Sequence, residues 1–263
     1  MQSIEIKRVP GYEEWRAAAR YYLTNNIPPE HITWQASDSA QDDLLGGLPL
    51  SLPSSKNRNF KIPKTFLDIA ECVVCHKNDD RYALLYRLLW RLVHENKNLL
   101  NIVTDADILK LKAYVKAVRR DAYKITAFLR FREIEMDNHE YFVAWYEAEH
   151  YTLELKLDFF VKRFKNMRWS ILTPYRAAHW DMNRLRLEDN PDPSLYPTDD
   201  TIEKYWLTYY ANIFNPARLK VKAMTTQMPK KYWKNMPETK LINDLVTGSE
   251  RRVKDMIDKQ NGA

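Results

Sequence analysis

Glycine is scarce in this chain, with 5 residues in 263 against 8 tryptophans and 16 tyrosines. Loops that cradle phosphate need residues without a Cβ so that the backbone can approach the anion. The Gly46-Gly47 pair is followed by neither the lysine of a P-loop nor a GxGxxG pattern, which argues against both nucleotide fingerprints. No apolar run reaches the roughly 18 residues of a membrane-spanning helix, and the opening MQSIEIKRVPGYEEW lacks the three sections of a signal peptide. The expected location is therefore cytoplasmic, where the two cysteines stay reduced. Also missing are a serine nucleophile elbow, an HExxH pair and a doubled CxxC. The length suffices to bury a core without disulfide or metal, so stability says little about cofactors, and none is expected.

What remains is an ordinary share of apolar residues, 45%, and of charged residues, 29%, with a formal net charge of +6. SIEIKRV alternates as a strand, YEEWRAAARYYLT is helical in composition, and HITWQAS is strand-like after Pro28-Pro29. Residues 37–63 read as a loop or linker. Apolar spacing predicts two helices from Pro63 to Glu95, broken near Lys77–Asp80, and a third that starts at Thr104 with Asp107 in a capping-box-like pattern. FLRFREIEM and HEYFVAWYE alternate as strands around Asp137-Asn138. A helix over Tyr151–Asn166 and strands in RWSILTP and AAHWDMNRLRLE follow. Thr198-Asp199-Asp200 caps a helix to Phe214, Pro229 opens a short turn, and residues 239–260 read as a final helix.

The expected class is α+β: an antiparallel sheet of about four to five strands packed with several helices, plus a small N-terminal strand-helix-strand unit. The expected division is an N-terminal α/β unit and linker at 1–60, a main domain at 61–238 and a C-terminal helix at 239–263.

Cys72-Val73-Val74-Cys75-His76 matches the attachment motif of a c-type haem, but that chemistry accompanies export, and the neighbours Ile69 and Val73 are core-like. Buried free thiols are the better reading, and no metal site is expected. A group of acids and histidines near the strands, Glu147, His150, His179 and Asp181, has the residue types of general acid/base catalysis. Such groups also close strand and helix ends with hydrogen bonds.

The basic residues are more strongly patterned. On the helix after Thr104 a wheel places Lys112, Lys116, Arg119, Arg120 and Lys124 opposite the apolar stripe. Arg130 and Arg132 alternate with Phe131, while Lys162, Arg163, Lys165 and Arg168 crowd around Phe159, Phe160, Phe164 and Trp169. From residue 204 to 234 no acid occurs among Arg218, Lys220, Lys222, Lys230, Lys231, Tyr232 and Trp233. Cations for phosphates and ring faces for bases are what a binder of single strands needs, although aromatics also make cores.

The runs DDRYALLYRLLWRL, AFLRFREIE, YFVAWYEAEHY, FFVKRFKNMRWSILTP, HWD, TYYANIFNPARLKVKAM and MPKKYWKNMPE resemble an uncharacterised bacterial family labelled as DNA metabolism or repair. Its domain occurs alone, beside a radical-SAM DNA repair protein, or fused in front of a UdgX-type uracil-DNA glycosylase. The resemblance spans about residues 5–245. It implies a DNA-repair setting and brings no established catalytic residues. No glycosylase motif is present, so the chain reads as a free-standing member or one cut at the fusion point.

The expected function is a DNA-binding accessory domain that assists the glycosylase or the radical-SAM partner on single-stranded or damaged DNA, without catalysis of its own. Its phosphate contacts are Lys116, Arg120, Lys124, Arg130, Arg132, Arg163, Arg218, Lys220, Lys222, Lys230 and Lys231, with Tyr232 and Trp233 as stacking groups. The alternatives are a nucleic-acid-processing enzyme using Glu147, His150, His179 and Asp181, and a protein-docking module.

Overall fold

The computed structural model describes residues 2–9, 11–37, 60–136, 139–189, 191, 225–236, 239 and 242. The chain gathers into two compact units, one of residues 1–123 and 149–155, the other of residues 124–148 and 156–263. The predicted helices over Thr198–Phe214 and 239–260, the latter except for two positions, lie outside the described residues.

The first unit opens with β1 (Gln2–Lys7), α1 (Tyr12–Thr24) and β2 (Ile32–Ser37). Alternation in β1 buries Ile4 and Ile6 on one face. β1 and β2 pair in parallel from Gln2↔Ile32 to Lys7↔Ser37, which requires a crossover, and α1 supplies it. Trp15, Ala18, Ala19, Tyr22 and Leu23 form the buried stripe of α1. The helix ends where Asn26 takes a left-handed backbone at φ 57°. The Ile27 N–H then bonds the Tyr22 carbonyl at 3.0 Å and the Asn26 N–H the Leu23 carbonyl at 3.1 Å, a Schellman ending, and Pro28 follows.

Helices α2 (Lys64–Val73), α3 (Arg81–His94) and α4 (Ala106–Phe128) confirm the predicted break near Lys77–Asp80. Phe66, Ala70 and Val73, the α3 residues Leu85, Tyr86, Leu88 and Leu89, and Leu111 and Val118 share one core with the β1–α1–β2 residues. The start of α4 differs from expectation. Asp105, not Thr104, is the N-cap: its carboxylate accepts the N–H groups of Asp107 at 3.0 Å and Ile108 at 3.1 Å. A carboxylate outcompetes a hydroxyl here because it also answers the positive helix end and pairs with the Arg91 guanidinium at 2.5 Å. Asp107 accepts two bonds from Arg87, at 2.9 and 2.7 Å, and one from Arg91 at 3.1 Å.

Between α2 and α3 the chain is fixed by a fully buried cation. Arg81 has no exposed surface, and it donates to the carbonyls of Val74 at 2.9 Å, Asn78 at 3.0 Å and Arg8 at 2.6 Å and to the Tyr82 hydroxyl at 3.2 Å. Its guanidinium lies 4.3 Å from the Tyr82 ring centre and 5.5 Å from that of Tyr151. Asp121, also buried, performs the converse service for the 149–152 segment. Its carboxylate accepts the N–H groups of Glu149 and His150 and the Thr152 hydroxyl, at 3.1, 3.0 and 3.0 Å.

The second unit is a five-stranded sheet in the order β3 (Arg132–Met136), β4 (His139–Trp145), β5 (Trp169–Leu172), β6 (Arg176–Trp180), β7 (Leu185–Asp189). The α+β class is as predicted, with one departure: β4 and β5 run parallel, the other neighbours antiparallel. The crossover between them contains α5 (Leu157–Arg163), shorter than the predicted Tyr151–Asn166 helix. Residues 149–152 spend donors on the Asp121 carboxylate rather than on helix carbonyls, and a 3-10 turn at Glu154–Lys156 leads into α5. Phe160 of α5 and Trp169 of β5 are buried, with Phe131 and Phe164 around them, so two of the four aromatics beside Lys162 and Arg163 are core, Phe164 is half-buried and Phe159 is exposed.

Arg81→Met is expected to lower the unfolding free energy by about 3 kcal/mol or more, because several buried carbonyls lose their donor together. Arg81→Lys recovers only part of this, since an ammonium cannot span the same acceptors. Urea titration followed by circular dichroism measures both.

Candidate nucleic-acid interface

Helix α4 carries six cations and two acids. Both acids are spent inward, Asp107 on Arg87 and Arg91 and Asp121 on the 149–152 segment. Of the cations, Lys110 pairs with Asp80. Arg119 reaches the Cys72 thiol. Lys112, Lys116 and Arg120 are exposed and, among the described residues, have no ion-pair partner. Steps of four residues place them in one row, about 6 Å apart along the helix axis. Tyr123, three residues beyond Arg120, is 70% exposed. Ile108, Leu111, Val118 and Ala122 on the opposite face are buried, which fixes the row outward.

The remaining predicted phosphate ligands divide. Lys124 is half-buried with its ammonium 5.4 Å from the Tyr232 ring centre. Arg130 donates to the carbonyls of Ala127 and Leu129, at 2.9 and 3.1 Å, closing the C-terminal end of α4. Arg132 is half-buried on β3, and Arg163 is exposed at the end of α5. Lys230 and Lys231 are exposed on a 3-10 turn, Lys230–Asn235. Arg218, Lys220 and Lys222 lie outside the described residues. Tyr232 does not suit the stacking role expected of it. It is buried, with Phe128 and Tyr146 stacked against it at centroid distances of 5.4 Å each, so no ring face is open to a base. Trp233 is half-buried, donates its indole N–H to the Met228 carbonyl at 3.0 Å and has the Lys230 ammonium 5.7 Å from its ring centre.

The acid and histidine group is distributed over four sets of partners. Glu147 accepts from Lys234 at 2.5 Å and the Trp145 indole at 3.2 Å; burial opposes its ionisation, but these donors outweigh it and lower its pKa. Asp181 is held below the usual carboxylate range by the N–H groups of Arg184 and Asn183, which close its own turn. His150 accepts the Lys77 N–H on Nδ1 at 3.3 Å.

His179 stands in a row that sequence spacing did not reveal: Tyr141 Oη to Ser170 Oγ at 2.8 Å, Ser170 Oγ to His179 Nδ1 at 2.5 Å, His179 Nε2 to Glu188 Oε2 at 3.1 Å. Hydroxyl, imidazole and carboxylate in this order resemble an activated serine. Ser170, however, is 4% exposed in a strand paired on both edges, which leaves its amide no role as an oxyanion donor. The row is a cross-strand hydrogen-bond ladder.

The CVVCH segment is also structural. Cys72 and Cys75 are free thiols, and burial raises the pKa of both. His76 is buried between two rings, Tyr114 at 3.7 Å and His150 at 4.4 Å, and accepts the Asn78 N–H at 3.2 Å. The Tyr114 hydroxyl donates to Asp80 at 2.7 Å. Among the described residues no group of His, Cys, Asp and Glu is arranged to hold a metal ion, nor is any helix long and apolar enough to cross a membrane.

Burial, followed by the neighbouring His150 and Arg81, lowers the His76 pKa to about 4. Because this lies below the ordinary value near 6.5, the unfolded chain binds the proton first. The contribution to stability is complete above pH ~6.5 and falls away as the pH drops towards ~4. His76→Phe, which keeps the stacking ring, is expected to flatten that fall in denaturation midpoints measured across the interval.

No curated protein and no solved structure matches the chain. The profile of one family, described as a domain of unknown function and designated DUF4130, matches residues 79–238, more than half of the length and from just before Arg81 to just past the 3-10 turn at Lys230–Asn235. The chain belongs to the DUF4130 family.

Proposed function

We propose that the chain is a DNA-binding accessory domain of DNA repair, acting beside a UdgX-type uracil-DNA glycosylase or a radical-SAM protein. The observation that carries the reading is the row Lys112, Lys116 and Arg120: three exposed cations on a rigid helix, with no ion-pair partner among the described residues and with both helix acids turned inward. Like charges four residues apart repel by a few tenths of a kcal/mol per pair, and phosphates on the row relieve that repulsion. The repair setting and the partners rest on the sequence resemblance. A docking role has its own supporting feature in Ile102, Val103 and Leu109, which are 38%, 61% and 55% exposed near the start of α4.

Anisotropy of labelled DNA tests the reading across a salt series. The wild-type chain is expected to bind at low salt and to weaken steeply as salt rises. Replacing Lys112, Lys116 and Arg120 together by alanine is expected to reduce the slope of log K against log salt by about 2–3, at roughly 0.7–0.9 for each phosphate no longer neutralised. Absence of wild-type binding at low salt, or a slope that the triple variant leaves unchanged, overturns it. Addition of the glycosylase tests the partner: it is expected to hold uracil-containing DNA more tightly with the domain present.

A further inference from the structure

Tyr123 is the large ring that α4 leaves most open to solvent. It follows the row of cations at Arg120, is 70% exposed, and sits on a helix that fixes its backbone. An exposed tyrosine costs solubility and contributes little to a core. Set beside a line of cations, it offers a flat apolar face at the height where a base extends from a bound phosphate strand. In a duplex the base faces are covered by their neighbours, so only the phosphate row is engaged. In a single strand the ring and the row act together.

We infer that Tyr123 makes the α4 surface selective for single-stranded over double-stranded DNA by stacking on one base of a strand whose phosphates lie along Lys112, Lys116 and Arg120. The inference rests on the DNA-binding reading and adds to it the form of the substrate and the residue that discriminates. The other described aromatics are less open to solvent. Tyr232 is enclosed by Phe128 and Tyr146. Phe159 is 44% exposed, with its ring 5.3 Å from that of Phe160, and stands on a different helix.

The experiment compares oligothymidylate with a blunt duplex of equal length, using the full chain and the variants Tyr123→Ala and Tyr123→Phe. Removal of one stacked ring is expected to weaken single-strand binding by about tenfold, the factor for about 1.4 kcal/mol, with duplex binding changed by less than about twofold. Tyr123→Phe keeps the ring face and is expected to bind both forms like the wild type. Thermal melts of the variants, run beside the wild type, guard against loss by misfolding. Equal loss on both forms, or no loss on oligothymidylate, overturns the inference. If the Lys112/Lys116/Arg120 variant loses both forms while Tyr123→Ala loses neither, the DNA-binding reading stands and only the selectivity falls. If the wild-type chain binds neither form, both fail.

Discussion

The Arg81 guanidinium is the point on which the first unit depends. It joins the carbonyls of Val74, after α2, of Asn78 in the following turn, and of Arg8 at the end of the first strand. Only a planar group with several fixed donors can serve acceptors from three parts of the chain at once. Asp79 stands 3.5 Å away and is about half exposed, so it compensates the charge only in part. The carbonyl dipoles and the rings of Tyr82 and Tyr151 do the rest. The turn thus fixed carries Asp80, which receives both Lys110 and Tyr114 of α4, and ends beside His76 in its stack.

From that arrangement follows the charge asymmetry of α4. A buried donor without an acceptor costs about 1–3 kcal/mol, whereas a like-charge neighbour on a helix surface costs a few tenths. The interior demand therefore decides where the acids go. Asp121 is drawn to the amides of Glu149 and His150, Asp107 to two arginines, and the mild repulsion of the outer row is left uncorrected. The positive face is in this sense a by-product of satisfying the core, and it is available for a polyanion without any rearrangement of the acids.

Local patterns made much of the fold legible. The alternation of Ile4 and Ile6, the spacing of Trp15, Ala18 and Tyr22, and the proline pair after Ile27 sufficed for the first strand-helix-strand unit, and Arg132–Trp145 read as two strands for the same reason. The features that were not legible depend on partners distant in sequence. Hydrophobic alternation carries no direction, so the parallel pairing of Phe142 with Trp169 was hidden. Helical composition after Tyr151 did not disclose that Asp121, some thirty positions earlier, takes the amides. Tyr232 read as an open ring because Phe128 and Tyr146 close on it only in the fold. His179 was flagged, but its partners Ser170 and Glu188 follow from strand register. The place of Tyr123 on the polar side of the α4 wheel follows from spacing alone, but its exposure is visible only in the fold.

The parallel joint in the second unit bears on how that sheet assembles. β3 and β4 form one antiparallel pair, and β5, β6 and β7 close on one another through short connections. Each piece can zip up with neighbours in sequence. The seam between β4 and β5 cannot form until the chain from residue 146 to 168 has gone out and come back, so the entropy of a long closure falls on this one ladder. It consists of four residue pairs, Phe142↔Trp169 to Trp145↔Leu172, and both Trp169 and Leu172 are buried. Burial at the seam is what offsets that entropy, so a loss of packing at Trp169 or Leu172 would weaken the one ladder that joins the two halves of the sheet.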